Sequence, residues 1–158
     1  MANKIKRKDI LLVTIQFILL TIFYIPFISN VFQTPPIIKY VGAIVSILGF
    51  LIIVIAILQL NKNLTPFPTP KENGVLINTV LYKYVRHPIY SGIFLAAIGI
   101  AFYTGSYWQL AISFILLILF YYKSKYEESL LIEKYQEYEN YIKSDSPIFL
   151  IQCCLQGL

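Results

Sequence analysis

Three uninterrupted apolar blocks divide the chain: Ile10 to Ser29, Tyr40 to Leu60, and Ile89 to Tyr122, none of which holds a charged residue. A helix needs about 20 apolar residues to cross a bilayer, so each of the first two blocks predicts one crossing. The third block, at 34 residues, is too long for one crossing and suits two short ones. Thr104-Gly105-Ser106 in its middle supplies the turn that folds it into a helical hairpin. Further on, Leu131, Tyr135, Tyr138 and Ile142 recur at the spacing of one helical face. The pattern predicts an all-α fold: a polytopic membrane protein with four transmembrane helices plus a C-terminal amphipathic cytoplasmic helix.

Composition points the same way. Hydrophobic residues make up 58% of the chain and charged residues 13%, with a mean hydropathy of +0.68, whereas a soluble domain carries about 25% charged residues. Lysine and arginine near helix ends collect on the cytoplasmic side, and here they are asymmetric. Lys4, Lys6, Arg7 and Lys8 lie at the N-terminus, Lys62, Lys71, Lys83 and Arg86 in the middle loop, and Lys123, Lys125, Lys134 and Lys143 in the tail, leaving Lys39 alone on the other side. Both termini and the middle loop are therefore expected in the cytoplasm. The net charge of +5 is then accounted for by anionic membrane lipids, without nucleic acid. The basic N-terminus followed by an apolar run resembles a signal peptide, but no small-residue cleavage pattern follows, so the run is read as a retained helix, kinked or ended near Pro26. Asn63-Leu64-Thr65 matches a glycosylation sequon that a cytoplasmic loop leaves silent.

The loop from Asn61 to His87 contains Pro66, Pro68 and Pro70 and then Asn73-Gly74, which favour an extended path followed by a tight turn. It is read as an ordered lid or cofactor wall, with a plain connector as the alternative. It leads into Arg86-His87-Pro88. Proline favours the first position of a helix and extends the residue before it, so His87 is expected at the helix cap with Arg86 just outside. A helix start with free N–H groups, plus a guanidinium, makes an anion site at the membrane surface; the alternative is an arginine reaching for lipid headgroups. Gly42, Ser46 and Gly49, and likewise Gly92, Ala96 and Gly99, form small-residue faces suited to close helix packing and compatible with a homo-oligomer. Gly92, one turn from His87, is expected to leave room for a ligand instead. Glu127 lies four residues before Leu131 and so on the same buried side, where its carboxylate needs a cation or hydrogen-bond donors. Glu128, about 100° around the helix, either shares that site or faces water. One histidine and the adjacent Cys153 and Cys154 give no metal-ligand spacing; the cysteines are read as part of an inert tail, with palmitoylation as the alternative.

Together, Thr65-Pro66 through Asn73-Gly74, the run Tyr82-Lys83-Tyr84-Val85-Arg86-His87-Pro88-Ile89-Tyr90-Ser91-Gly92, and Glu127-Glu128 through Tyr141 and Pro147 resemble the isoprenylcysteine carboxyl methyltransferase and phospholipid methyltransferase superfamily. The resemblance covers residues 61 to 147. It divides the chain into N-terminal transmembrane helices (1–60), a methyltransferase core (61–147) and a tail (148–158). It implies a membrane-integral enzyme that uses S-adenosylmethionine without a Rossmann domain, with Arg86, His87, Tyr90, Gly92, Glu127 and Glu128 lining the cofactor site and Arg86, Tyr90 and Glu127 serving catalysis. It also implies a lipophilic acceptor, such as an isoprenylcysteine carboxylate, another prenylated molecule or a lipid. Val80-Leu81 and Gln136 stand where many members have Gly-Pro and glycine, and neither removes a charged group. Two alternatives are an NADPH-dependent oxidoreductase of the sterol-reductase type and a non-catalytic membrane scaffold.

Overall fold

The computed structural model describes residues 6–25, 31–60, 64–70 and 81–135. Five helices account for the regular structure there: α1 (Arg7–Tyr24), α2 (Pro36–Leu60), α3 (Leu81–Tyr84), α4 (Pro88–Thr104) and α5 (Tyr107–Lys134). The expectations for Asn73-Gly74, Tyr138, Ile142 and the cysteine pair fall outside the described residues.

The first two apolar blocks each gave one helix and the third gave two, for the expected reasons and with shifted ends. α1 closes at Tyr24, and Ile25 is extended at φ −82°, ψ 119°, the conformation a residue before proline prefers. α4 begins with Pro88 at its first turn and His87 as N-cap. The hairpin turn forms at Gly105, which is left-handed at φ 71°, ψ 26°, and Ser106 caps α5 by accepting a hydrogen bond from the Gln109 N–H at 3.3 Å. The Phe32 N–H donates to the Gly105 carbonyl at 2.7 Å, so the segment entering α2 is pinned to this turn. A Cβ on Gly105 would stand 2.5 Å from the Phe32 carbonyl oxygen. With left-handed backbone costing an L-residue about 1–2 kcal/mol, Gly105→Ala is expected to lower stability by at least that much, seen as a lower unfolding temperature in detergent.

The start of the amphipathic C-terminal segment continues the fourth apolar one: α5 runs unbroken for 28 residues from Tyr107 to Lys134, carrying Glu127 and Glu128 on the same rod, while the rest of that segment lies outside the described residues. No helix breaker separates Tyr122 from Tyr126, so continuing the rod keeps every backbone hydrogen bond.

Two helices, α2 and α5, are long and apolar enough to cross a membrane. α4 is apolar but has 17 residues, and α1 includes Arg7, Lys8 and Asp9 in its first turn. Only 22% of the apolar window of α2 is buried within the protein. A core helix of a soluble protein would hide that surface, whereas a lipid-facing helix exposes it.

Packing follows side-chain size. α2 and α4 run antiparallel with their small-residue faces in contact: Gly49 lies against Gly92 and Ala96, and Gly99 against Gly42 and Ser46. α5 packs on α4 and α1 around Leu19, Phe23, Ala97, Ile112, Leu116 and Phe120. The Trp108 indole N–H donates at 2.9 Å to the Ile22 carbonyl, which also accepts from the Ile25 N–H at 3.2 Å, so α5 is tied to the C-terminal end of α1.

Candidate functional site

The helix start at Pro88 fixes two neighbours, one on each side of the cap. Val85, 1% exposed, anchors the preceding turn through its N–H to the Leu81 carbonyl at 2.9 Å. The His87 carbonyl accepts from the Ser91 N–H and from its hydroxyl, both at 3.2 Å. Arg86 and His87 are thereby held facing α5, whose Glu127 and Glu128 meet them from the other side.

The charged groups interlock. Arg86 Nη1 stands 2.9 Å from Glu128 Oε1, with both side chains largely buried. Lys125 Nζ approaches Glu128 Oε2 at 3.6 Å from the exposed side. The Tyr90 hydroxyl donates to Glu127 Oε2 at 2.9 Å. His87 bridges the pair, with Nδ1 3.7 Å from Glu127 Oε2 and Nε2 3.6 Å from Glu128 Oε1, distances too long for hydrogen bonds. Parallel ring stacking holds Tyr90 to His87 at 5.5 Å and to Phe120 at 4.8 Å between centroids.

Among the described residues, three polar atoms in this cluster are buried without a hydrogen-bond partner: Arg86 Nε, His87 Nε2 and Glu128 Oε1. Glu128 Oε1 is close enough to Arg86 to attract it, but the pair is not aligned as a hydrogen bond. Leaving such atoms unpaired costs about 1–3 kcal/mol each, and a bound polar molecule would recover it. The cluster offers a guanidinium and a helix start to an anionic group, two carboxylates to a cationic one, and aromatic faces to a cation or a flat ring. S-Adenosylmethionine, with a carboxylate, an ammonium and a sulfonium, fits that donor and acceptor set.

Five of the six residues singled out from sequence, Arg86, His87, Tyr90, Glu127 and Glu128, thus come together. Glu128 is the more buried of the two glutamates, at 6% side-chain exposure against 27% for Glu127. Gly92 does not join them. A Cβ there would stand 2.7 Å from Ile53 Cγ1 and 2.8 Å from the Gly49 carbonyl oxygen, so Gly92 lets α2 approach α4 rather than leaving room for a ligand.

A neighbouring polar group escaped the sequence reading. Lys123, assigned above to the basic tail, is 1% exposed. Its Nζ donates to Gln16 Oε1 and, at 3.0 Å, to the Pro66 carbonyl, and lies 5.2 Å from the Tyr90 ring centroid. Asp9, fully buried on α1, accepts from the Thr69 hydroxyl and from the Lys6 N–H at 3.0 Å. The Leu64–Pro70 part of the proline loop is therefore tied to α1 and α5. Asp9 and Gln16 stand seven residues apart, two turns along one face of a helix that is largely apolar beyond its first turn, and that spacing was the available signal.

Among models of protein families, the one described as phospholipid methyltransferase matches residues 37–138, a stretch that includes α2 and both halves of the charged cluster. Neither the curated proteins nor the solved structures yield a match.

Proposed function

The chain belongs to the phospholipid methyltransferase family, and from that premise we propose that it is a multi-pass membrane enzyme that uses S-adenosylmethionine to methylate a lipophilic acceptor. The observation that carries this reading is the buried cluster of Arg86, His87, Tyr90, Glu127 and Glu128, three of whose polar atoms find no hydrogen-bond partner among the described residues. In this reading α1, α2, α4 and the apolar part of α5 are four crossings, with the termini and the cluster at the cytoplasmic face.

When bound, S-adenosylmethionine supplies a methyl group activated by a sulfonium. The protein's part is positioning and exclusion of water, on which an in-line displacement chiefly depends. Arg86 and the start of α4 would hold a carboxylate and Glu128 and Glu127 an ammonium, with the stacked His87 and Tyr90 rings beside them and the fully buried Phe120 backing Tyr90. Glu127 is the more exposed carboxylate, and its Oε2 is already oriented by the Tyr90 hydroxyl. It is the group to hold a proton released by an amine or thiol acceptor; a carboxylate acceptor needs no such group. The acceptor enters sideways from the bilayer, which suits a lipid or prenylated molecule.

Calorimetric titration of the detergent-purified protein with S-adenosylmethionine, S-adenosylhomocysteine and NADPH tests this. Binding of the first two and not of NADPH is the expected result. NADPH binding alone would make the protein a reductase, and heat from none of them would leave a scaffold. Tyr90→Phe removes only the hydroxyl that orients Glu127. It is expected to weaken cofactor binding or turnover about tenfold, the worth of one hydrogen bond to a charged group, with the unfolding temperature little changed.

A further inference from the structure

Lys123 is a buried ammonium whose charge the Glu127 and Asp9 carboxylates favour from beyond hydrogen-bonding range. Burying a charge costs several kcal/mol unless it is well compensated, yet among the described residues its hydrogen-bond acceptors are neutral, the Gln16 side-chain amide and the Pro66 carbonyl. What the ammonium does achieve is convergence. Gln16 belongs to α1, Pro66 to the proline loop, Tyr90 to α4 and Lys123 itself to α5, so four parts of the chain meet at one nitrogen.

Its position along α5 links this junction to the proposed site. Phe120, Lys123 and Glu127 are separated by three and four residues and so share one face of the helix, and all three address Tyr90: Phe120 by stacking, Lys123 over the ring and Glu127 by accepting the hydroxyl proton. Moving Lys123 therefore moves the side chain that orients Glu127. The proline loop depends on the same nitrogen, and its Pro68 and Thr69 are buried.

We propose that Lys123 is a positioning residue: through Gln16 and the Pro66 carbonyl it seats residues 64–70 against the bundle, and through the Tyr90 ring it holds the Tyr90–Glu127 pair in register. This rests on the proposed cofactor site for its consequence in binding, but the seating of the loop stands apart from it.

The test uses full-length protein in detergent with Lys123→Met, which keeps a long apolar stem without the charge, Gln16→Leu, and the double variant. Two quantities are read for each: amide hydrogen exchange over residues 64–70 and calorimetric affinity for S-adenosylhomocysteine. Lys123→Met is expected to raise exchange in 64–70 while α2 and α4 keep their protection, and to weaken binding about tenfold. The double variant is expected to lose no more than the worse single one, because both substitutions break one shared interaction. A purely structural lysine would lower the unfolding temperature without that non-additive loss of affinity. Unchanged exchange in Lys123→Met overturns the proposal, as does wild-type affinity in a variant whose loop has loosened, and so do losses that simply add. If the wild-type protein itself binds no S-adenosylhomocysteine, the cofactor reading fails instead, and the exchange result alone decides whether Lys123 seats the loop.

Discussion

Arg86→Ala is expected to be the most damaging single change at the cluster, lowering affinity for S-adenosylhomocysteine about a hundredfold and stability by about 3–5 kcal/mol. The stability loss comes from Glu128, which sits 2.9 Å from Arg86 with only 6% of its side chain exposed. Removing one partner strands the other charge in a medium that solvates it poorly. Lys125 approaches Glu128 at 3.6 Å, but its side chain is half-exposed and screened by water, so it offsets little of the loss. The affinity loss has a different origin, the guanidinium that would grip a carboxylate. Arg86→Met combined with Glu128→Leu separates the two. Replacing both members of a buried ion pair by apolar groups is often neutral or stabilising, so the double variant is expected to unfold near the wild-type temperature while still failing to bind. Wild-type binding by that double variant would show that the pair serves only the fold.

Gly49→Leu is expected to destabilise the protein by about 3 kcal/mol or more, at the upper end for overpacking a close contact. The first carbon of any side chain at Gly49 would lie 2.5 Å from the Ala96 backbone nitrogen and 2.7 Å from the Gly92 carbonyl oxygen. Backbone cannot swing aside as a side chain can, so α2 and α4 must separate. Because α4 carries His87 and Tyr90, the same shift is expected to weaken cofactor binding from a site that touches no ligand. Leu58→Ala serves as the control: Leu58 lies on the same helix but is 71% exposed, and its loss is expected to change stability by no more than about 0.5 kcal/mol. Thermal unfolding in detergent compares the two. Equal, small effects would mean that the α2–α4 contact does not hold the fold together.

Much of this architecture is written in the sequence. The uncharged blocks named the long helices, Gly105 and Ser106 named the turn, and Pro88 placed a helix start beside His87. Each of these is local: an uncharged run, a left-handed glycine and a proline at the first turn act through their own backbone and near neighbours. That a buried glutamate would need a cation was legible for another reason, since buried charges must find opposite ones, but the sequence left open whether Glu128 faced water and did not give the Arg86–Glu128 pair.

Which way each side chain faces was decided only by the assembled helices. Along a membrane helix, residues that meet lipid and residues that meet another helix are equally apolar, so periodicity no longer marks the buried side. That is why Gly92 turned out to touch α2 instead of the cluster, and why Glu128 rather than Glu127 took the deeper place. Lys123 shows the limit most clearly. Its partners lie 107 residues away at Gln16 and 57 away at Pro66, and no local rule distinguishes it from Lys125, two positions on and half-exposed. The sequence by itself determined the helices, their turn and the chemistry of the charged groups, because those depend on neighbours along the chain; the tertiary structure alone decided which of those groups share a buried space, because that depends on contacts between segments far apart in sequence.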